Sequence, residues 1–174
     1  MAATARQIER WLEAARGYLE LEMSSHALQE LSQIAADGDG VQLEVSRLRA
    51  EAFRQQREYL AAIEVLDGVL EHVPDDLESL MTMAWCYKRT EQLDRAIDAM
   101  QSAYKAHPDE PVVLYNLACY FTLAGDKPQA ISWLGRSLRM ESALRELIPE
   151  ESDFDSLRHD PDFLLVVRET GNEG

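Results

Sequence analysis

The sequence predicts an all-α protein built from stacked helical hairpins, and three observations carry this prediction. A composite pattern of small, aromatic and aliphatic residues returns every 34 or 35 positions. Within each copy, apolar residues recur at spacings of three and four, which is the period of a helix with one buried face. Nowhere in the sequence do apolar and polar residues alternate with the period of two that is typical of a strand.

The copies align on an alanine that precedes an apolar stripe in each unit, namely Ala27, Ala62, Ala96 and Ala130. In every copy a small residue lies twelve positions before this alanine and an aromatic residue lies nine positions before it. Small residues allow two helices to approach closely, and the aromatic ring fills the space beside them. Pro74 and Pro108 follow the second helix of their units, where proline ends a helix.

Polar turn segments divide each unit into two helices. These segments are "MSSH", "RQQRE", "RTEQ" and "LAGDKP". Four helical hairpins result, and the apolar face of each hairpin can be covered only by its neighbours, so we expect the hairpins to stack.

This pattern resembles the tetratricopeptide repeat (TPR) family, whose 34-residue consensus runs Trp, Leu, Gly or Ala, Tyr, then Ala, Phe, Ala and Pro. The third unit is the nearest to it, with Leu80, Met83, Ala84, Tyr87, Ala96, Met100, Ala103 and Pro108. The second unit departs at Ser46 and Arg49, where the family has apolar residues. The resemblance covers about residues 6–141 and implies a right-handed superhelix, an α-solenoid, of four hairpins.

We predict a TPR domain over residues 6–148, whose parts are units 8–41, 43–76, 77–110 and 111–141 and a capping helix at 142–148. An acidic tail, 149–174, follows with short helices at 153–158 and 161–168. Asp160 is the expected N-cap of the second of these, and Pro161 its first residue. The tail resembles the segment that often follows the last repeat in bacterial TPR proteins. The side chains expected to face the stack are Phe154, Leu157, Phe163 and Leu164.

Composition restricts the function classes. With 17 Lys and Arg against 32 Asp and Glu, the net charge is −15, which disfavours binding to nucleic acid or to an anionic membrane. The longest uninterrupted apolar run, "FLLVV" at 163–167, is far too short to span a bilayer. Two cysteines form no disulfide framework, and the N-terminus has no signal-peptide core. We expect a cytoplasmic protein.

Candidate catalytic and metal-binding residues are few. The sequence has no glycine-rich phosphate loop, and its histidines (His26, His72, His107 and His159) have no partner at ligand spacing. The segment from Asp37 to Gly40 lacks the acidic twelfth residue of a calcium loop.

The acids of the connector after the repeats could suggest a metal or acid/base pair, but we interpret them as a solvated loop: Glu150, Glu151, Asp153 and Asp155. Cys86 and Cys119 lie in first helices beside the stacking face, where core packing is the expected role of a small apolar residue. The sequence therefore predicts no enzyme activity, no cofactor and no metal.

In TPR proteins the first helices line a concave groove that binds a segment of another protein. The family's groove positions, beginning at Leu12, fall here on Arg16, Arg47, Glu51, Arg54, Met81, Trp85, Lys88, Arg89, Tyr115, Cys119 and Thr122, with Asn116 beside them. The resemblance thus implies a basic wall of four arginines and a lysine, and an apolar platform of Met81, Trp85 and Tyr115. Alternatively, Trp85 packs between hairpins and the arginines pair with Glu44, Glu51 and Glu78. A clamp for a C-terminal carboxylate is not supported, because Met81 and Trp85 stand where that subset has Lys and Asn.

Two hypotheses for function follow from the resemblance. The first is a non-catalytic scaffold that binds a partner segment with acidic and apolar residues in the groove. The second is a self-associating structural protein that uses its tail or convex face, with the acidic tail able to occupy the groove in cis or between copies.

Overall fold

The computed structural model describes residues 3–35 and 38–169, and these form nine α-helices and two 3₁₀ helices without a strand. The predicted all-α class of helical hairpins is confirmed. Asp37 of the rejected calcium loop and residues 170–174 of the predicted tail lie outside the described residues. The chain divides into two compact units, residues 1–90 and 91–174.

Unit 1 contains five helices: α1 (Ala5–Glu20), α2 (Ser24–Ser32), α3 (Asp39–Gln55), α4 (Tyr59–His72) and α5 (Leu77–Arg89). α1 pairs with α2 and α3 with α4, while α3 also contacts α1 and α5, which are its neighbouring first helices. The repeat alanines Ala15, Ala50 and Ala62 are fully buried, as close helix packing requires.

Unit 2 contains α6 (Leu93–Ala106), α7 (Pro111–Leu123), α8 (Lys127–Met140), two 3₁₀ helices, η1 (Ser142–Glu150) and η2 (Ser152–Leu157), and α9 (Pro161–Glu169). The capping helix predicted at 142–148 corresponds to η1, a 3₁₀ helix that includes Pro149. Asp160 accepts hydrogen bonds from the main-chain N–H groups of Asp162 and Phe163, as expected of an N-cap. The division into a TPR domain and a tail stays a prediction.

Each hairpin turn places one residue in the left-handed region, at equivalent repeat positions. The φ angles are 57° at Glu22, 62° at Arg57, 60° at Glu91 and 76° at Gly125. At the Arg57 turn the next N–H, that of Glu58, donates to the Phe53 carbonyl at 2.9 Å, which closes the helix end. Only the last turn uses glycine, the residue that adopts this conformation without steric cost.

Candidate functional site

The first-helix face of unit 1, formed by α1, α3 and α5, carries a chain of ion pairs. Arg16 Nη2 lies 3.0 Å from Glu44 Oε1, and Arg47 Nη2 lies 2.6 Å from Asp76 Oδ1. Arg47 also approaches Glu44 at 3.8 Å, so the network joins all three helices. Burial alone would raise the pKa of Asp76, but hydrogen bonds from Ser79 and Arg47 lower it below its usual value.

Arg54 is paired as well. Its Nε donates to Glu51 Oε2 at 2.7 Å, and this hydrogen bond raises the pKa of Arg54. The predicted basic wall is therefore largely compensated by acids of the same face. The alternative that the arginines pair internally is confirmed for Glu44 and Glu51, whereas the third partner is Asp76 rather than Glu78.

Trp85 is the centre of an aromatic and cationic group on the same unit, which we call the Trp85 cluster: Arg54, Tyr59, Trp85 and Arg89. The guanidinium carbons of Arg54 and Arg89 lie 5.1 and 5.6 Å from the Trp85 ring centroid. Tyr59 packs edge-on against Trp85 with centroids 5.4 Å apart. These distances are those of cation–π contacts and of an aromatic pair.

The Trp85 cluster remains accessible. Trp85 is half-buried and Arg89 is exposed, and within the described residues no carboxylate forms an ion pair with Arg89. Met81 and Lys88 beside it are half-buried. This corner of unit 1 therefore combines an apolar surface with an unneutralised positive charge.

In unit 2 the corresponding groove positions are not exposed. Tyr115, Cys119 and Thr122 are all buried, while Asn116 is half-buried. The Phe154 ring of η2 packs edge-on against Tyr115 with centroids 5.6 Å apart. The prediction that Tyr115 forms part of an open platform is wrong, because η2 covers this face of α7.

The helix α7 itself explains the cover. Its sequence, "PVVLYNLACYFTL", is apolar on nearly every side, and a helix of that kind is buried over most of its surface. This signal was present in the sequence and could have indicated that the groove positions of the fourth repeat unit are covered.

The tail is fastened to unit 2 by apolar and polar contacts. Phe154 and Phe163 are buried with their ring centroids 5.4 Å apart, and Leu157 is also buried, as predicted. Lys127 Nζ of α8 lies 2.6 Å from Asp160 and 2.8 Å from Asp162. The tail thus covers the groove positions of α7 in cis through aromatic packing.

The two cysteines are buried, as expected for core packing. Burial raises the pKa of Cys86 to about 11, so this thiol is protonated at neutral pH and is a poor nucleophile. The connector is only partly solvated. Glu150 and Asp155 are exposed, but Asp153 is buried, and this corrects the interpretation of the whole connector as a solvated loop.

Sequence reasoning missed two residues of the unit 1 face. Asp76 caps α5 by accepting the Ser79 N–H at 3.0 Å, and an Asp directly before an apolar helical segment was a usable capping signal. Tyr59 had no such signal, because its contact with Trp85 depends on how α4 and α5 pack.

These features define a helical-hairpin repeat protein whose fold class is that of a protein-interaction scaffold. A tetratricopeptide repeat model matches residues 53–110, and this match confirms the predicted resemblance to the family. A comparison with curated proteins found no match.

Solved structures of MamA have a similar fold. One MamA crystal structure gives a TM-score of 0.70 at 16% identity, with 80% of this chain and 81% of that chain covered. A structure of MamA AMB-1 gives a TM-score of 0.68 at 17% identity, with 95% and 90% covered. At this identity the likeness concerns the fold alone. Across the described residues, no helix is both long and apolar enough to cross a membrane.

Proposed function

We propose that this protein is a non-catalytic scaffold that binds a segment of a partner protein on the first-helix face of unit 1, centred on the Trp85 cluster. The observation that carries the proposal is the half-buried Trp85 ring, which the guanidinium groups of both Arg54 and Arg89 contact. Tryptophan and arginine are the residues most often found as interface anchors.

The charges of this face define the chemistry of the partner. Arg16, Arg47 and Arg54 already form ion pairs with acids of the same face. Their main role is therefore to hold this face together, and they attract an acidic partner only weakly. Arg89 is the cation to which an added carboxylate would bind with least competition. A partner segment with one or two acidic residues beside an apolar side chain fits this arrangement better than a long acidic stretch.

The remaining groove positions have different roles in this proposal. Met81 and Lys88 flank Trp85 on α5 and extend its surface, while Glu51 holds Arg54 in place. Tyr115, Cys119 and Thr122 would reach a partner only after displacement of η2, and Asn116 would remain at the edge of that covered face.

We further propose that the protein is cytoplasmic and bacterial, and that it binds neither nucleic acid nor a membrane. The net charge of −15 supports the last two points, since phosphate groups would be repelled. The protonated Cys86 thiol supports the absence of cysteine nucleophile chemistry at that position.

Self-association is the second candidate function. Two large apolar side chains of unit 2 are exposed to water: Leu147 in η1 is 53% exposed and Leu165 in α9 is 52% exposed. A contact between copies through this end of unit 2 would cover them. Light scattering on the purified chain separates the two candidates, because only self-association predicts a stable dimer or larger assembly.

The direct test of the groove proposal is affinity capture with the tagged full chain. The charge reversal Arg89→Glu and the truncation Trp85→Ala are each expected to weaken binding of the captured partner about tenfold or more. Lys105→Glu is the matched control, because Lys105 is an exposed cation on a second helix. Binding that falls equally in the control and in Arg89→Glu would reject the assignment to this face.

A further inference from the structure

Three potential metal ligands meet where η2 covers α7. The Cys119 Sγ atom and one carboxylate oxygen each from Glu151 and Asp153 all lie within 4.8 Å of one another. Cys119 and Asp153 are only 3% and 8% exposed, and Glu151 is half-buried. Two acids and a thiol in one buried corner concentrate negative charge once the thiol loses its proton, and such a group is stable when a cation binds it.

A fourth, independent feature points to the same corner. Tyr115 lies one helical turn before Cys119 and is 4% exposed, yet within the described residues its Oη atom has no hydrogen-bond partner. Its ring packs edge-on against Phe154, the residue that follows Asp153, and this contact places Tyr115 beside the three ligands. A buried hydroxyl without a partner is costly, which indicates that a ligand or a ligand-bound water completes the site.

We propose that Cys119, Glu151 and Asp153 bind a zinc ion, with the Tyr115 hydroxyl beside the fourth coordination position. A thiolate favours zinc over magnesium or calcium, and the two carboxylates supply further zinc ligands. In a tetrahedral zinc site, sulfur and oxygen ligands stand about 3.5 Å apart. The three ligand atoms lie within 4.8 Å of one another, so rotation of the side chains would bring them to this spacing. Binding releases the Cys119 thiol proton to solvent.

Glu151 Oε1 accepts the main-chain N–H of Asp153 at 3.0 Å, and this hydrogen bond holds the Glu151 carboxylate beside Asp153. Arg158, the nearby cation, donates to Asp155 Oδ1 at 2.7 Å and to the main-chain oxygens of Ile148 and Glu151 at 3.2 and 2.9 Å. Its hydrogen bonds therefore hold the connecting turn in place. Because one ligand belongs to α7 and two belong to the connector and η2, the ion would fasten the tail to the last repeat.

Metal titration of the reduced, chelator-treated full chain tests the proposal. Cobalt(II) is the spectroscopic probe, since a thiolate ligand adds a sulfur-to-metal charge-transfer band in the near ultraviolet. We expect one zinc or cobalt ion per chain, this band, and a raised melting temperature with zinc. Cys119→Ala and Asp153→Asn should lose the band or lower the affinity by about a hundredfold, and Tyr115→Phe by about tenfold.

Cys86→Ala is the matched control, because it removes the other buried cysteine and leaves the proposed ligands intact. Circular dichroism of each variant without metal verifies that the helices persist. The proposal is overturned if zinc does not bind or if cobalt binds without the thiolate band. It is also overturned if Cys119→Ala binds zinc as tightly as Cys86→Ala, or if calcium binds as tightly as zinc.

Discussion

The first-helix faces of the two units use the same repeat positions in opposite ways. In α3 and α5 these positions hold Arg47 and Trp85, which remain partly accessible, whereas in α7 they hold Tyr115 and Cys119, which are buried. All three segments are first helices of their hairpins, so the difference between the faces lies in what covers them. Unit 1 stabilises an open face with ion pairs, while unit 2 closes its face with the aromatic rings of the tail.

The comparison shows that a groove position in a repeat protein is defined by its environment as well as by its place in the repeat. Charged side chains suit the open face because their ends reach water while their stems cover the helix. Tyr115 and Cys119 suit a covered face because their burial removes apolar surface from water.

The largest expected effect comes from removing the cover. Phe154→Ala deletes a fully buried ring that touches Tyr115 and Phe163, so we expect a loss of about 3–5 kcal/mol in the free energy of unfolding. Urea unfolding of unchanged and variant chains measures this loss. Leu165→Ala, an exposed position on α9, is the control and should change little. A loss below about 1 kcal/mol for Phe154→Ala would show that the tail does not close the face.

An intermediate effect is expected on the open face. Asp76→Ala removes both the α5 cap and the partner of Arg47, and should cost about 2 kcal/mol at pH 7. The pKa of Asp76 is lower when the protein is folded, so its contribution is present above the usual aspartate pKa of about 4 and disappears as the pH falls below it. The stability difference between the unchanged chain and the variant should therefore shrink in acid. A difference that stays constant from pH 7 to pH 3 would contradict this role.

The smallest effects concern two of the left-handed turn residues, Arg57 in unit 1 and Gly125 in unit 2. Arg57→Gly relieves a positive φ and should stabilise the chain by up to about 1 kcal/mol, whereas Gly125→Ala introduces the same strain and should cost about 1 kcal/mol. Open space surrounds Gly125, so its substitution tests backbone conformation without a clash. Thermal unfolding checks the opposite signs, and shifts in the same direction would disprove the interpretation.

Much of the fold was accessible from residue spacing. The alanine anchors and aromatic positions predicted the hairpins, and "LAGDKP" indicated the turn that places Gly125 in the left-handed region. The pairing of Arg16 and Arg54 with Glu44 and Glu51 was foreseen as an alternative. Arg54 and Glu51 lie three positions apart on one helix, whereas Arg16 and Glu44 lie on the neighbouring first helices α1 and α3, which stacking of the repeats brings together.

The candidate site was less predictable. Tyr59 belongs to the Trp85 cluster only because α4 and α5 pack side by side, and Asp153 is buried only because η2 lies on α7. Neither contact has a fixed sequence separation that could serve as a pattern.

By itself, the sequence determined the helical hairpins, their period and the residues of their buried stripes, because each depends on local helix geometry and on the spacing of apolar side chains. The tertiary structure decided which groove positions stay open, which charges neutralise each other, and which thiol meets two carboxylates. Those outcomes depend on how segments distant in the chain pack together, and the balance between burial and hydration at each contact is set only when the packing forms.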